Sequence, residues 1–355
     1  MDAGTPNVVG IGGRDRGLAA PGISQDSVRA YHALRTGAMV LDRSDRARAT
    51  IAGASAASVL TGLVTNDVVQ LSKGHGQYAA LLTAKGKVIA DVRIFARDGD
   101  LLVDTSARAA TGWWATIRKF VNPRLAKYVD VSAELGDLGV FGTGARRIVA
   151  AMTGADESVF ADLPEYGHRA VEMGATMLTV ARVPDLGVEG YELFTPMAAI
   201  GVLRERAIAA GAVAGSNDAF HIARIEAGRP EWGVDIDDGT LAQEANLDAL
   251  HAISFTKGCY TGQETVARIH FRGHVNRNLR GLRFDASSAL PHGAELVDDS
   301  GERVVGDVRS VAISPRLGGI ALAMVRREVD EGAWLTARWD GGAVRVNVVP
   351  LPQTA

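Results

Sequence analysis

The strongest constraint on the fold comes from three short apolar segments that follow one another with only tight turns between them. The segments are QYAALLT, VIADVRIFA and LLVDTS, and glycine-centred turns at 85–87 (KGK) and 98–100 (DGD) separate them. Turns this short join neighbouring antiparallel strands, because glycine accepts the backbone twist that a hairpin needs. The apolar residues of 108–120 recur at helical spacing. This part of the chain therefore predicts an antiparallel sheet followed by a helix.

A second region has the same alternation, and a third has only strands. Between residues 129 and 227 the pattern predicts strands at 129–131, 138–141, 170–171, 177–183 and 190–194, and helices at 144–152, 197–210 and 217–227. From about residue 279, short strands with Gly or Asp turns at regular spacing predict a small β-barrel or sandwich. The expected fold class is α+β, with two antiparallel-sheet units and a C-terminal β-barrel.

These patterns divide the chain into four parts. We expect a flexible N-terminal extension at 1–24, a discontinuous first α+β domain at 25–50 and 135–275, a second α+β domain at 51–134, and the barrel at 276–355. The run Gly10-Ile11-Gly12-Gly13 resembles part of a dinucleotide fingerprint, but no strand before it or helix after it supports that function.

Composition and charge argue against membrane and nucleic-acid partners. No apolar run reaches the roughly 18 residues of a membrane-spanning helix. The first residues lack the basic start and apolar core of a signal peptide, so we expect a cytoplasmic location. A net charge of −3 with a pI near 6.3 gives no global basic field.

Cys259 is the only cysteine in the 355 residues. A single thiol cannot form an intramolecular disulfide, and it cannot supply the several thiolates of a self-contained iron–sulfur cluster or a cysteine-rich zinc site. We therefore predict no resident metal. Cys259 is expected to act alone or with a partner molecule.

The most informative segment surrounds this cysteine, in the run KGCYTGQE at 257–264. Thr261 and Glu264 have the spacing of a capping box for a helix that begins at Gly262. A thiol near a helix N-terminus, with Lys257 two positions away, is expected to be more acidic and more reactive. Lys257 and Cys259 are therefore candidate catalytic residues. A buried, inert cysteine in a structural turn is the alternative.

A local run of basic residues follows this segment, although the chain as a whole is slightly acidic. Its members are Arg268, His270, Arg272, His274, Arg277, Arg280 and Arg283. The run can bind an anion such as the glutamate tail of a folate, and a solvated helix face is the alternative. His270 and His274 have the i, i+4 spacing of a metal pair but lack the carboxylate of an H-E-x-x-H motif.

The run KGCYTGQE matches the K-G-C-Y-x-G-Q-E signature of the YgfZ family, which the chain resembles from about residue 30 to 350. The flanking residues 244–248 (EANLD) and 266–268 (VAR) agree as well, as do 65–67 (TND) and 82–91 (LTAKGKVIAD). That family shares the fold of the glycine-cleavage T-protein. The resemblance implies three domains arranged around a central hole that holds tetrahydrofolate.

The resemblance also assigns candidate folate-binding residues. Asp91 matches the second acid of the T-protein Asp-Asp pair, which acts on the reacting nitrogen of folate; the first acid is replaced by Ala90. Glu192 matches the glutamate that grips the pterin, and a carboxylate can accept two parallel N–H bonds from that ring. The remaining candidates that the resemblance implies are Arg224, Tyr78, Asn66 and Tyr260.

The resemblance implies a tetrahydrofolate-binding accessory protein that helps to assemble or repair iron–sulfur clusters. The expected partners are a reduced folate and iron–sulfur client or assembly proteins. The alternatives are a folate-dependent aminomethyltransferase of the glycine-cleavage type and a binding scaffold without chemistry. The loosened T-protein motif at 187–192 (GVEGYE) weighs against the transferase.

Overall fold

The computed structural model describes residues 23–354. The predicted extension at 1–24 and its glycine run therefore lie outside the described residues, except for Ile23 and Ser24. Ser24 caps the first helix by accepting a hydrogen bond from the Ser27 amide. The eight α-helices of the described part are α1 (Gln25–Thr36), α2 (Ala56–Thr61), α3 (Ala110–Phe120), α4 (Ala145–Thr153), α5 (Ser158–Ala161), α6 (Ile200–Ala209), α7 (Asn217–Glu226) and α8 (Gln263–Arg272).

The strands form two open sheets and one closed barrel, which confirms the predicted α+β fold class. The first sheet has the order β11-β1-β7-β10-β9-β8 and the second has the order β3-β4-β5-β2-β6. The strands of these two sheets are β1 (Met39–Asp42), β2 (Ala47–Ala52), β3 (Gly76–Leu82), β4 (Val88–Ala96), β5 (Asp100–Thr105), β6 (Lys127–Asp130), β7 (Leu135–Phe141), β8 (His168–Met173), β9 (Thr176–Arg182), β10 (Gly190–Pro196) and β11 (Val213–Ala214).

The C-terminal barrel closes in the order β12-β15-β14-β13-β16-β17. Its inward-facing Val, Leu and Ala side chains form a core of their own. Closure leaves no open sheet edge in this part of the chain. The barrel strands are β12 (Arg277–Phe284), β13 (Glu295–Val297), β14 (Val304–Ser314), β15 (Gly318–Arg326), β16 (Trp334–Trp339) and β17 (Gly342–Val349).

Two details of the sheets differ from the sequence-based expectation. The edge strand β11 pairs with β1 in a parallel direction, whereas all other pairs in the two open sheets are antiparallel. Strand β2 pairs with β5 and β6, so it belongs to the second sheet. The change from the first sheet to the second therefore falls between Asp42 and Ala47, a few residues before the predicted boundary at 50.

The two open sheets face each other, and helices cover their outer faces. In strand β4, Ala90, Val92 and Ile94 pack on the side of α2 and α3. The alternate residue Phe95 points to the other side and contacts Phe194 of the first sheet, with ring centroids 5.3 Å apart. The period of two in this strand thus directs Asp91 and Arg93 toward the space between the sheets.

A long segment without regular helix or strand, residues 227–262, connects the three parts. The amide of Val88 in β4 donates to the Thr240 carbonyl at 2.9 Å, and the amide of Leu279 in β12 donates to the Glu244 carbonyl at 2.8 Å. Farther along, the Ser254 amide donates to the Thr65 carbonyl at 3.0 Å. This connecting segment is therefore fixed to the second sheet and to the barrel by its own backbone.

The predicted capping box at the end of this segment is wrong. Helix α8 begins at Gln263, and its N-cap is Gly262, with φ of 88° and no side-chain cap. The backbone turns through the left-handed region there, which an L-residue rarely adopts. His270 and His274, which have the spacing of a helical metal pair in the sequence, do not share a helix, because α8 ends at Arg272.

Gly262 packs tightly against the hairpin turn at 85–87. A Cβ atom on Gly262 would lie 2.6 Å from the Thr83 carbonyl oxygen, and a Cβ atom on Gly86 would lie 2.9 Å from Cγ2 of Thr265. The two stretches that carry the family resemblance, 82–91 and 257–264, are therefore in direct contact, and glycine is what permits it.

We expect Gly262→Ala to lower the free energy of unfolding by at least about 2 kcal/mol, because it adds both left-handed strain and a clash with backbone. Gly258→Ala is the matched control in the same loop, since a Cβ atom there meets nothing within 4 Å. Its effect is expected to stay within about 0.5 kcal/mol. Urea unfolding measures both, and equal losses in the two variants would contradict the packing argument.

Candidate ligand-binding site

A cavity of about 440 Å³ lies between the two sheets, helix α7 and the start of the connecting segment. This volume is in the usual range for small-molecule sites, about 300–1,000 Å³. Its lining is strongly charged. The arginines in the lining are Arg43, Arg46, Arg93, Arg108, Arg224 and Arg229, and the acids are Asp45, Asp91, Asp185, Asp218 and Glu231.

Asp91 and Tyr78 form a hydrogen-bonded pair at the cavity wall. Strands β3 and β4 bring them together, and the Tyr78 hydroxyl donates to Oδ2 of Asp91 at 2.9 Å. Oδ1 of Asp91 is buried and has no hydrogen-bond partner among the described residues. Burial raises the pKa of the Asp91 carboxyl above its usual value, although Arg46 and the Tyr78 hydrogen bond oppose the shift. The free oxygen can therefore accept a hydrogen bond from a ligand N–H group or take up a proton.

A ladder of alternating charges forms the floor beside this pair. Arg48, Asp104 and Arg93 lie in register on the adjacent strands β2, β5 and β4. Arg46 also reaches Oδ2 of Asp104, at 2.7 Å. Burial alone would raise the pKa of Asp104, but Arg46, Arg93 and Arg48 together lower it below the usual value. Asp104 is thus held as a carboxylate by three guanidinium groups.

Glu192 lies behind this floor and does not line the cavity. Its side chain is fully buried on β10, and Arg93 binds it at 2.6 Å. Arg43 is 3.8 Å away, and its guanidinium also lies 3.8 Å from the centre of the Phe220 ring. The neighbouring carboxyl of Asp137 has a pKa well above its usual value because of burial and the charge of Glu192. In this arrangement Glu192 binds arginine, and these arginines separate it from the cavity.

Arg224 lines the cavity, but its donors are already bound. Its guanidinium contacts Asp235 at 2.6 Å and Glu231 at 3.1 Å, and it donates to the Ser310 hydroxyl at 2.6 Å. Ser310 is on β14, so Arg224 joins helix α7 to the barrel. Its main role in this structure is to hold these elements together.

Two further arginines are free to bind a ligand. Arg229 follows α7 directly and forms no ion pair with any side chain in the described part of the chain. Arg108 donates to the Gly233 carbonyl at 3.2 Å and likewise has no carboxylate partner there. Unpaired guanidinium groups in a partly enclosed cavity favour an anionic ligand. Sequence reasoning missed both, although Arg229 stands only five residues after the candidate Arg224.

Lys257, Asn66 and Tyr260 lie outside the cavity and hold the cysteine loop. The Lys257 ammonium donates to the carbonyl oxygens of Thr61, Val64 (2.6 Å) and Asn66 (3.1 Å). It also lies 4.6 Å from the centre of the Tyr260 ring. Burial lowers the pKa of Lys257 to about 8 and raises that of Tyr260 to about 12. These contacts give Lys257 a structural role in fixing the loop.

Cys259 is exposed on this loop and is not among the residues that line the cavity. A short path nevertheless joins the two places. Lys257 binds the Asn66 carbonyl, and the Asn66 side-chain amide donates to the Tyr78 carbonyl at 3.0 Å and to the His251 carbonyl at 2.9 Å. Of the residues predicted from sequence, the structure therefore brings Asp91, Tyr78 and Arg224 to one cavity. It places Cys259, Lys257, Tyr260, Asn66 and Glu192 elsewhere.

Among residues 23–354, no three His, Cys, Asp or Glu side chains lie close enough together to hold a metal ion. No helix in the same range is long and apolar enough to cross a membrane.

We expect opposite effects on stability from removing the two buried charges of this site. A folded-state pKa above the unfolded value means that ionised Asp91 costs stability at neutral pH. Asp91→Asn should therefore raise the Tm at pH 7, and the gain should shrink as the pH falls and Asp91 becomes protonated in both states. Asp104→Asn should lower stability at pH 7 by about 3–5 kcal/mol, because it leaves buried arginines unpaired.

The loss caused by Asp104→Asn should diminish in acid, since the contribution of a carboxylate with a lowered pKa disappears as the pH falls through that pKa. Asp45→Asn, an exposed acid at the cavity mouth, is the control and should change stability by no more than about 0.5 kcal/mol. Calorimetric melting from pH 8 down to about pH 2, which lies below the ordinary pKa of an aspartate, checks all three. A destabilised Asp91→Asn protein at pH 7 would show that the charge on Asp91 is needed for folding.

Comparison with known proteins supports one family. Residues 20–257 match the GCVT N-terminal domain, and residues 277–353 match the glycine cleavage T-protein C-terminal barrel domain. The tRNA-modifying protein YgfZ of Escherichia coli O7:K1 (strain IAI39 / ExPEC) is 32% identical over 324 residues, which cover 88% of this chain and 92% of that protein. The same protein of Escherichia coli O157:H7 (strain EC4115 / EHEC) is 34% identical over 267 residues, 72% of this chain and 74% of that one.

Among solved structures, the glycine cleavage system aminomethyltransferase T from Bartonella henselae is similar in fold. It matches with a TM-score of 0.81 at 20% sequence identity, over 92% of this chain and 89% of that one. At this identity the similarity concerns the fold, and the functional residues have to be argued from the site itself.

Proposed function

Because the chain belongs to the YgfZ family and carries both T-protein domains, we propose that it binds tetrahydrofolate and helps to assemble or repair iron–sulfur clusters in client enzymes. The proposal of folate binding rests on the cavity. There, Oδ1 of Asp91 accepts no hydrogen bond, and Arg229 and Arg108 form no ion pair with a carboxylate of the described residues. The client part rests on the KGCYTGQE segment and on the exposure of Cys259.

The residues of the cavity fit a reduced folate in two respects. Asp91 offers a free acceptor for an N–H group of the pterin, next to the Tyr78 hydroxyl. Arg229 and Arg108 offer donors for the carboxylates of the glutamate tail. Folate supplies a carrier for one-carbon units when it is bound. In this proposal the protein orients it through these residues.

Glu192 does not line the cavity, and Arg93 lies 2.6 Å from its carboxylate, although neither oxygen of Glu192 has a hydrogen-bond partner among residues 23–354. The pterin would have to displace Arg93, which has a close carboxylate contact there. We therefore assign the acceptor for the pterin to Asp91 and give Glu192 the role of positioning Arg93. The basic run after α8 is not needed for the glutamate tail, since Arg229 and Arg108 already lie in the cavity.

We expect the purified protein to bind tetrahydrofolate more tightly than tetrahydropteroate, which lacks the glutamate. Arg229→Ala should weaken tetrahydrofolate binding by about tenfold or more, the value of a charge-assisted hydrogen bond, and leave tetrahydropteroate binding unchanged. Arg345→Ala, on the barrel surface, is the control. Isothermal titration calorimetry measures the binding of both compounds to the wild-type protein and to each of the two variants.

The titration distinguishes a failure of the folate proposal from a wrong position of the glutamate tail. If the wild-type protein binds neither compound, the folate proposal fails. If Arg229→Ala weakens both compounds equally, folate binds but the glutamate tail is not at Arg229.

The aminomethyltransferase remains a second candidate, because Asp91 is kept and has a free buried oxygen. Turnover of an aminomethylated lipoyl carrier above background would favour it over the accessory role.

The exposed position of Cys259 outside the cavity favours an action on a partner protein, because a surface thiol can reach a partner's cluster or sulfur. In this proposal the cluster is cargo that Cys259 contacts transiently.

In cells that lack the gene, we expect the activity of iron–sulfur dehydratases and the content of modified tRNA nucleosides to fall. The second readout follows the name of the relatives, tRNA-modifying protein. Wild-type protein should restore both, whereas Cys259→Ser should fold normally and restore neither. Lys257→Met should also fail, but with a lowered Tm, because three carbonyl groups lose their donor.

Full restoration by Cys259→Ser would remove the thiol from the proposal. A Lys257→Met protein with an unchanged Tm would contradict the structural role of the lysine and return it to the candidates for chemistry.

A further inference from the structure

Three aromatic rings form a cluster on helix α8 and the loop before it, in which His270 and Phe271 are exposed and Phe255 is half-buried against the core. The His270 ring stacks on Phe255, with centroids 3.7 Å apart and planes within 17°. Phe271 stands nearly perpendicular to His270, at 87° and 4.7 Å. Phe271 is 67% exposed, the highest value among the large apolar side chains of the described residues. The stacked rings of Phe255 and His270, with Phe271 perpendicular to them, form an aromatic corner against which a planar aromatic ligand can pack.

Basic side chains surround this aromatic corner. Arg268 and Arg272 are one helical turn apart on α8, and both are exposed. Neither forms an ion pair with a side chain in the part of the chain that the structure describes. His270 and His274 are exposed on the same stretch. The corner therefore carries positive charge that internal carboxylates do not neutralise.

A second basic site, a cleft at the rim of the barrel, begins four residues after the end of α8. Asn276, Arg277, Arg326, Arg327 and Glu328 line this cleft. Arg277 and Arg326 lie opposite each other on β12 and β15, and the Arg327 amide donates to the Asn276 carbonyl at 3.0 Å. Glu244 pairs with Arg277 at 3.0 Å, and Glu328 lies 3.5 Å from Arg326, whereas no carboxylate of the described residues pairs with Arg327.

We propose that this aromatic and basic strip binds a single-stranded segment of nucleic acid. A base would stack in the corner formed by His270 and Phe271, and successive phosphates would lie on Arg268, Arg272 and the arginines of the cleft. Aromatic platforms beside a line of cations are the usual means of holding single strands without sequence specificity. An acidic protein segment would bind the same arginines, but its carboxylate side chains cannot stack on the exposed aromatic rings.

The slightly acidic net charge does not oppose this site. At physiological ionic strength, charges more than about 8 Å apart are largely screened, so a polyanion responds to the local strip. The expectation from the sequence that nucleic acid is no partner rested on the whole-chain charge alone. The strip shares no residue with the lining of the folate cavity, so this inference goes beyond the proposed function and does not depend on it.

The test is the anisotropy of fluorescein-labelled single-stranded RNA and of DNA with the same sequence, titrated with the full chain over a series of salt concentrations. Phe271→Ala should weaken binding by at least about fivefold at every salt concentration, because stacking is insensitive to salt. The double variant Arg268→Ala/Arg272→Ala should reduce the slope of log K against log salt by about 1 to 2.

Phe120→Ala is the matched control. Phe120 is 54% exposed at the end of α3, and Lys119 lies 5.0 Å from its ring centre, but no second ring stacks with it. Its removal should leave binding unchanged. Melting curves confirm that each variant is folded, and the arginine variant tests the strip even if Phe271→Ala is unstable.

Binding of RNA and DNA alike, or of RNA alone, supports the proposal when the two strip variants weaken it and the control does not. Three results would overturn it. They are no binding of either strand at the lowest salt, binding unaffected by Phe271→Ala, and displacement of the labelled RNA by polyglutamate as effectively as by unlabelled RNA at equal charge concentration, which would indicate a surface for acidic proteins.

Discussion

The structure depends on a layer of paired charges between the two sheets, which lies beside apolar contacts such as that of Phe95 with Phe194. Arg48, Asp104 and Arg93 cross three strands of the second sheet in register, and Glu192 meets them from the first sheet. Burying such ions is favourable only if every charge has partners, since desolvation costs several kcal/mol per ion. The ion pairs across the sheets, together with the apolar contacts between them, set the relative position of the two sheets and the shape of the cavity.

The same layer explains why Glu192 does not line the cavity. The family resemblance implies a contact of Glu192 with a pterin, whereas here Arg93 lies 2.6 Å from its carboxylate and Arg43 lies nearby. Arg43 and Arg93 line the cavity and Glu192 does not, so a ligand in the cavity meets these arginines first. Guanidinium groups at this position favour an anionic ligand.

The sequence predicted the fold well because the fold depends on local patterns. Glycine turns and period-two strands predicted the hairpins at 76–105, and regular short strands predicted the barrel.

The site was harder to predict. Asp91 and Tyr78 were found through the family resemblance, but Arg229 and Arg108 were not, because their significance lies in having no partner, which only three-dimensional neighbours can show. The capping box failed for a similar reason. Thr261 and Glu264 have the right spacing, but the contact of Gly262 with Thr83, 179 residues earlier, sets the local backbone.

The connecting segment, residues 227–262, explains how a stretch without regular structure can carry so much of the site. It brings Arg229 to the cavity, and it ends at the loop that exposes Cys259. Between these points its backbone pairs with β4 and β12, and Lys257 uses all three of its donors on carbonyl groups of residues 61–66. Irregular backbone can be as rigid as a helix when its polar groups are satisfied by neighbours.

The cavity wall is connected to the cysteine loop through Asn66. Its side chain donates to the carbonyl of Tyr78, and its own carbonyl accepts from Lys257, so a change at Tyr78 can reach the loop through these hydrogen bonds. That route gives a physical reason for the family signature to include a lysine beside the cysteine: it holds the thiol in place relative to the cavity.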